Sequence, residues 1–166
     1  TIIFVDEPYM VSYGSAFASL SREKVTSLWE EVFGAIEGIK GVHCCGNTDW
    51  SVLLSTSVDI LSFDTYNYGQ SLSLYPDEVK SFLARGGSIA WGIVPNEEKN
   101  LTGETAASLN DRLEDAMAPF TRNGVRFREL LQRALLTPSC WLASLSADAS
   151  CRALELLADL SDRIRR

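Results

Sequence analysis

The chain has 166 residues, one domain's worth, with 46% hydrophobic and 22% charged residues, a balance that supports a buried core and excludes a disordered chain. Its net charge of −7 and pI of about 4.7 argue against nucleic acid as a partner, because that affinity rests on Lys and Arg neutralising phosphates. No run of about 18 apolar residues is present to cross a membrane, and the opening TIIFVDEP has neither the basic region nor the long apolar stretch of a signal peptide.

Residues 2–6 (IIFVD) read as a first strand ending in an acid. Ser21 reads as the cap of a helix that turns Val25, Leu28, Trp29, Val32 and Ile36 inward at spacings of three and four. Gly38 and Gly41 stop it, and residues 41–45 (GVHCC) form a second strand. A polar turn leads into a short helix from Trp50 to Ser55, followed by a third strand at 58–64 (VDILSFD). The Tyr-, Gly- and Ser-rich stretch after it reads as a loop. Pro76 then opens a helix with Val79, Phe82 and Leu83 inward. Residues 88–94 (SIAWGIV) are a fourth strand, and 96–103 a polar loop. Two helices are expected over 104–118 and 123–134, split near Pro119. A fifth strand lies around 135–139, and Ser146 caps a last helix with Ala153, Leu154, Leu157, Leu160 and Ile164 inward. The arginines at 122–128 and at Arg163, Arg165 and Arg166 read as solvated helix faces.

Continuous apolar strands separated by helices imply a parallel sheet covered on both faces. No glycine-rich phosphate loop opens a helix, which leaves a dinucleotide site without support. Chemically capable side chains sit at the C-terminal ends of four strands: Asp6 and Glu7, His43 and Cys45, Asp64, and Cys140. Active sites of β/α barrels draw on several strands at that face, whereas doubly wound sheets use one switch point. The fold class expected is therefore α/β, a partial TIM (β/α)8 barrel. Residues 1–166 form a single barrel domain holding roughly the last five β/α units, without the N-terminal ones. An open arc leaves two strand edges, which another chain could pair with to complete the barrel.

His43 and Cys45 occupy alternate positions of one strand and so share a face. Cys140 ends the last strand, and Asp64 ends the strand after the His/Cys pair. Thiolates with one imidazole suit Zn2+, and a catalytic zinc keeps one position open or loosely held. Cys140 is the natural third ligand, and Asp64 a displaceable fourth. Two other readings stand beside this one. The cysteines could be structural, as Cys44 is expected to be in its place facing the helices. Cys45 and His43 could also act as nucleophile and base, although neighbours on one strand make an awkward pair. Four cysteines in this pattern do not form a secreted disulfide framework, so a cytoplasmic location is expected.

The elements VDEP (5–8), HCC (43–45), ILSFD (60–64) and LTPSCWLASL (136–145) together resemble the C-terminal catalytic barrel of cobalamin-independent methionine synthase, within the uroporphyrinogen decarboxylase/methionine synthase-like superfamily. They occur in that family's order and span almost the whole chain. The resemblance implies zinc on His43, Cys45 and Cys140, with Asp64 where the family has a glutamate. It implies that Asp6 meets the amino group of the acceptor. The activity it implies is zinc-dependent methyl transfer to a homocysteine-like thiol, from a methyl-folate or a corrinoid protein. A uroporphyrinogen decarboxylase-like enzyme and a non-catalytic zinc-binding subunit of a split barrel are the alternatives. The aromatic residues Tyr66, Tyr68 and Trp91, with Asn67, could line a donor pocket. Trp141 stands where the family commonly has glycine, and its indole is expected to reshape the acceptor pocket.

Overall fold

The computed structural model describes residues 1–14 and 20–165. Among them are five strands: β1 (Ile2–Glu7), β2 (Ile39–Cys44), β3 (Ile60–Phe63), β4 (Ser88–Val94) and β5 (Ala134–Pro138). The helices between and after them are α1 (Arg22–Gly34), α2 (Trp50–Leu54), α3 (Thr65–Leu72), α4 (Pro76–Ala84), α5 (Glu98–Leu101), α6 (Ala106–Arg122), α7 (Phe127–Gln132) and α8 (Ala147–Ile164). The strands pair in parallel in the order β1-β2-β3-β4-β5. The order never reverses, so this sheet contains no switch point of the doubly wound kind. It is consistent with an arc of a β/α barrel, and β1 and β5 each have a neighbour on one side only. No helix among the described residues is long and apolar enough to cross a membrane.

The period-two alternation of strand side chains gives the sheet two unlike faces. One carries Val42, Cys44, Leu61, Phe63, Ile89, Trp91 and Ile93, all essentially inaccessible to solvent. Trp50 of α2, Phe63, Trp91 and Phe120 of α6 form a chain of edge-on aromatic contacts with centroids 5.3, 5.8 and 6.1 Å apart. Burying such a side chain stabilises the fold by about 1.5–3 kcal/mol, so this is where the helices are bonded to the sheet. The other face is aligned by register: Asp6, His43, Ser62, Ala90 and Leu135 lie side by side. Exposure on it falls from the edges to the middle. Ile2, Phe4 and Leu135 are 54%, 43% and 42% exposed, while Ile60, Ser62 and Ala90 are 5%, 5% and 0%. A curled sheet has this profile, with an open rim and a sheltered floor.

Local signals set most helix starts. Ser21, Thr105 and Ser146 accept hydrogen bonds from the third backbone N–H of α1, α6 and α8, as N-caps do. Pro76 opens α4. Other expectations need correction. The stretch after β3 is not a loop: Asp64 accepts from the Asn67 N–H and caps α3, a cap hidden by reading that acid as a strand end. Residues 98–101 of the expected polar loop form α5. The helix expected to stop near Pro119 runs on to Arg122. Pro119 sits in its last turn, where it removes one hydrogen bond, and the break comes at Gly124, whose φ of +88° only glycine adopts freely. The inward faces also shift. Phe33 is buried in α1 while Leu28 and Val32 are exposed, and Leu156 is buried in α8 while Leu154 is exposed. The arginines at 122, 126, 128, 163 and 165 are exposed as expected; Arg166 lies outside the described residues.

The end of β5 passes unusually close to β4. A Cβ on Gly92 would lie 2.4 Å from the Phe63 carbonyl oxygen, 3.0 Å from Ser139 Cα and 3.1 Å from the Pro138 oxygen. These are backbone atoms and cannot step aside, and the register slips between Gly92 and Val94 at this point. Gly92→Ala is therefore expected to destabilise the fold by about 1–3 kcal/mol. Gly103→Ala, where no atom lies within 4 Å, should stay within about 0.5 kcal/mol of the parent. Urea unfolding of the two variants checks this, and equal midpoints would show that the close passage is not enforced.

Candidate metal centre

His43 lies on β2 and points to the sheltered face. Its Nδ1 is 2.9 Å from Ser62 Oγ, the side chain directly beside it on β3. Its Nε2 is buried with no hydrogen-bond partner. Buried polar atoms without partners are rare in native proteins, and a role in holding an ion is one recognised reason. Cys45 is the residue after β2 and shares the face of His43.

Cys140 reaches the same place from the other side of the sheet. It lies two residues beyond β5, and the intervening Ser139 is fully buried. The Ser139 N–H donates to the Val94 carbonyl at 2.7 Å and its hydroxyl donates to Asn96 Oδ1 at 2.9 Å. These two bonds tie the loop to the end of β4. As a result the Cys45 and Cys140 sulfurs are 3.1 Å apart. A ring nitrogen of His43 and the two sulfurs all lie within 4.8 Å of one another. Sulfurs on one tetrahedral zinc would stand about 3.8 Å apart, given Zn–S bonds near 2.3 Å, so the thiols need to part slightly. The three residues form a group that could hold a metal ion, and the bare Nε2 together with the paired thiols fits a thiophilic one.

Asp64 does not belong to this group. It is buried, at 7% exposed, but both its oxygens are engaged. Oδ1 accepts from the Asn67 N–H at 2.9 Å and Oδ2 from Asn67 Nδ2 at 2.7 Å. Burial raises its carboxyl above the usual value, against the pull of those bonds. Asp6 is exposed and sits beside His43 in the ladder. Glu7 is spent on backbone: its Oε1 accepts from the Met10 N–H at 2.9 Å. Trp141 is 72% exposed, so its indole reaches into solvent instead of filling the site. Trp91 is wholly buried on the helix-covered face and lines no pocket at the mouth. Tyr66, Asn67 and Tyr68 do line a surface cavity of about 570 Å³ with Arg112 and Gln70. Tyr66 itself is tied down by donating to Glu104 at 2.8 Å beneath the Arg112 guanidinium. Ser62 and Ser139 were missed from sequence. The alternation Ile60–Ser62–Asp64, with a small hydroxyl on the face of His43, was the available signal for the first.

Comparison with known proteins adds nothing to this geometry: no family model and no curated protein matches the chain.

The electrostatics decide how a metal would enter. Burial pulls the His43 imidazole below its ordinary value, against the opposing pull of Asp6 and Asp64. It is therefore already neutral at pH 7. Burial, then the hydrogen bond and charge of Cys140, push the Cys45 thiol up to about 12. A metal must displace that proton, since only the thiolate ligates. Apparent zinc affinity is accordingly expected to rise by at least about tenfold per pH unit between about pH 6.5 and 8.5, read by competition with a chromophoric chelator. A flat profile would remove Cys45 from the ligand set. Asp64→Ala is expected to leave zinc content unchanged and to cost about 1 kcal/mol of stability, the worth of a helix cap. Loss of zinc in that variant would make Asp64 a ligand after all.

Proposed function

We propose that this chain is a zinc-dependent methyltransferase acting on a homocysteine-like thiol, built on an arc of a TIM (β/α)8 barrel. The observation that carries the reading is the meeting of a His43 ring nitrogen with the Cys45 and Cys140 sulfurs while Asp64 stays engaged on α3. Three protein ligands leave a fourth place on a tetrahedral ion, as catalytic zinc sites do and closed structural sites do not. Zinc bound there would hold the acceptor's sulfur as a thiolate at neutral pH, where a free thiol is mostly protonated.

The chain's own residues do the rest. His43, Cys45 and Cys140 hold the ion, and two thiolates keep it electron-rich. Asp6, on the face of His43 and exposed, pairs with the acceptor's ammonium and orients it. The new S–C bond forms as the donor's N–CH3 or Co–CH3 bond breaks, and that bond's electron pair stays with the methyl-folate or corrinoid donor. Further β/α units, on this chain or another, would pair with the free edges of β1 and β5. Free thiols 3.1 Å apart suit a reducing compartment such as the cytoplasm.

A tetrapyrrole decarboxylase fits less well. The charged groups that act on His43 are the carboxylates of Asp6 and Asp64, where acidic substrate arms need cations. A zinc-binding subunit without catalysis differs from the main reading in one measurable way. X-ray absorption of the zinc-loaded protein is expected to show about two sulfur neighbours, rising to about three when homocysteine is added. Methionine should then appear by mass spectrometry when a methylated folate or corrinoid is supplied. Cys140→Ser should release the zinc without unfolding the chain. An unchanged sulfur count on adding thiol would leave only the structural reading.

A further inference from the structure

We infer that Ser62 is the positioning residue that fixes which nitrogen of His43 is offered to the metal, an inference that rests on the zinc reading above. A neutral imidazole carries one proton, and the nitrogen that ligates must be the bare one. The partner of the other nitrogen selects the tautomer. Ser62 Oγ lies 2.9 Å from His43 Nδ1. With the proton on Nδ1, that N–H donates to Ser62, and the buried, unpartnered Nε2 is the nitrogen left for an ion held with the two nearby thiols, which are weak donors. With the proton on Nε2, a strong donor would be buried among sulfur atoms, which are poor acceptors.

The usual orienting group for a ligating histidine is a carboxylate or a backbone carbonyl. Asp64, the buried carboxylate two residues on along the same face of β3, already accepts two hydrogen bonds from Asn67. Ser62 is the group left beside the ring. Its placement comes from the parallel ladder that sets His43 opposite Ser62, and it is 5% exposed. The contact is therefore fixed by backbone pairing and shielded from water that would compete for Nδ1.

The chain contains a single histidine, so one imidazole spin system reports the tautomer. The experiment is a long-range proton–nitrogen NMR correlation on the metal-free, reduced protein, with chelator-competition titration of zinc on the same samples. The native chain is expected to show the Nδ1–H form. Ser62→Ala should shift the population towards Nε2–H and weaken zinc binding by about 10–100-fold, with an unchanged circular dichroism spectrum. A native chain in the Nε2–H form overturns the proposal, and so does a Ser62→Ala variant that binds zinc within about threefold of the native protein. Weaker binding with no change of tautomer also overturns it, because Ser62 would then act through packing alone. Should Ser62→Ala fail to fold, the native tautomer decides by itself. Should the native chain show Nδ1–H yet bind no zinc, the zinc reading fails while the orientation of the ring by Ser62 stands.

Discussion

Cys45 leaves the end of β2 and Cys140 leaves the loop after β5, with β3 and β4 lying between them. In a flat sheet, strands three places apart are separated by about 14 Å. The two sulfurs are 3.1 Å apart. Two features close that distance. One is the arc-like sheet, whose exposure on the face of His43 falls from the edges to the middle, and the other is the loop at Ser139, tied to Val94 and Asn96. The candidate metal group depends on this convergence, because the two thiols could not share an ion at a separation of about 14 Å.

The curl has its counterpart on the opposite face. Trp50, Phe63, Trp91 and Phe120 fill the space between sheet and helices, and large side chains on the outer face with small ones on the inner face favour bending away from the helices. Ser62, Ala90 and Gly92 are the small residues of the inner face, and Gly92 admits the backbone of β5 closer than any side chain would allow. The meeting of His43, Cys45 and Cys140 as a group that could hold a metal ion thus goes with how volume is distributed between the two faces of β3 and β4.

β3 and the residue after it divide the polar work here between Ser62 and Asp64. Ser62 serves the ring of His43, and Asp64 closes the first turn of α3. Two acids, Asp6 on β1 and Asp64 at the start of α3, act on His43 without entering the group that could hold an ion. Their charge opposes the effect of burial on the imidazole. They also give this end of the sheet a negative character.

Much of the fold was legible because its signals are local. Ser21 and Ser146 mark helix starts through bonds to backbone three residues away, Pro76 marks one by its fixed φ at the first turn, and apolar runs at 88–94 and 2–6 mark strands by composition alone. His43 and Cys45 share a face by the pleat of one strand, which sequence spacing dictates. What spacing could not decide was the fate of Asp64. A carboxylate at a strand end can ligate an ion or cap the next helix, and the choice rests on Asn67 swinging back to hold both oxygens. The order of residues likewise set Cys140 at a strand end. Bringing its sulfur to Cys45 was left to sheet curvature and to the Gly92 passage, both sums over strands distant in sequence. Sequence therefore determined which residues stand at strand ends as candidate ligands, through periodicities of a few residues. Tertiary structure alone decided which of them meet, because meeting depends on packing volumes that no short window of the chain contains.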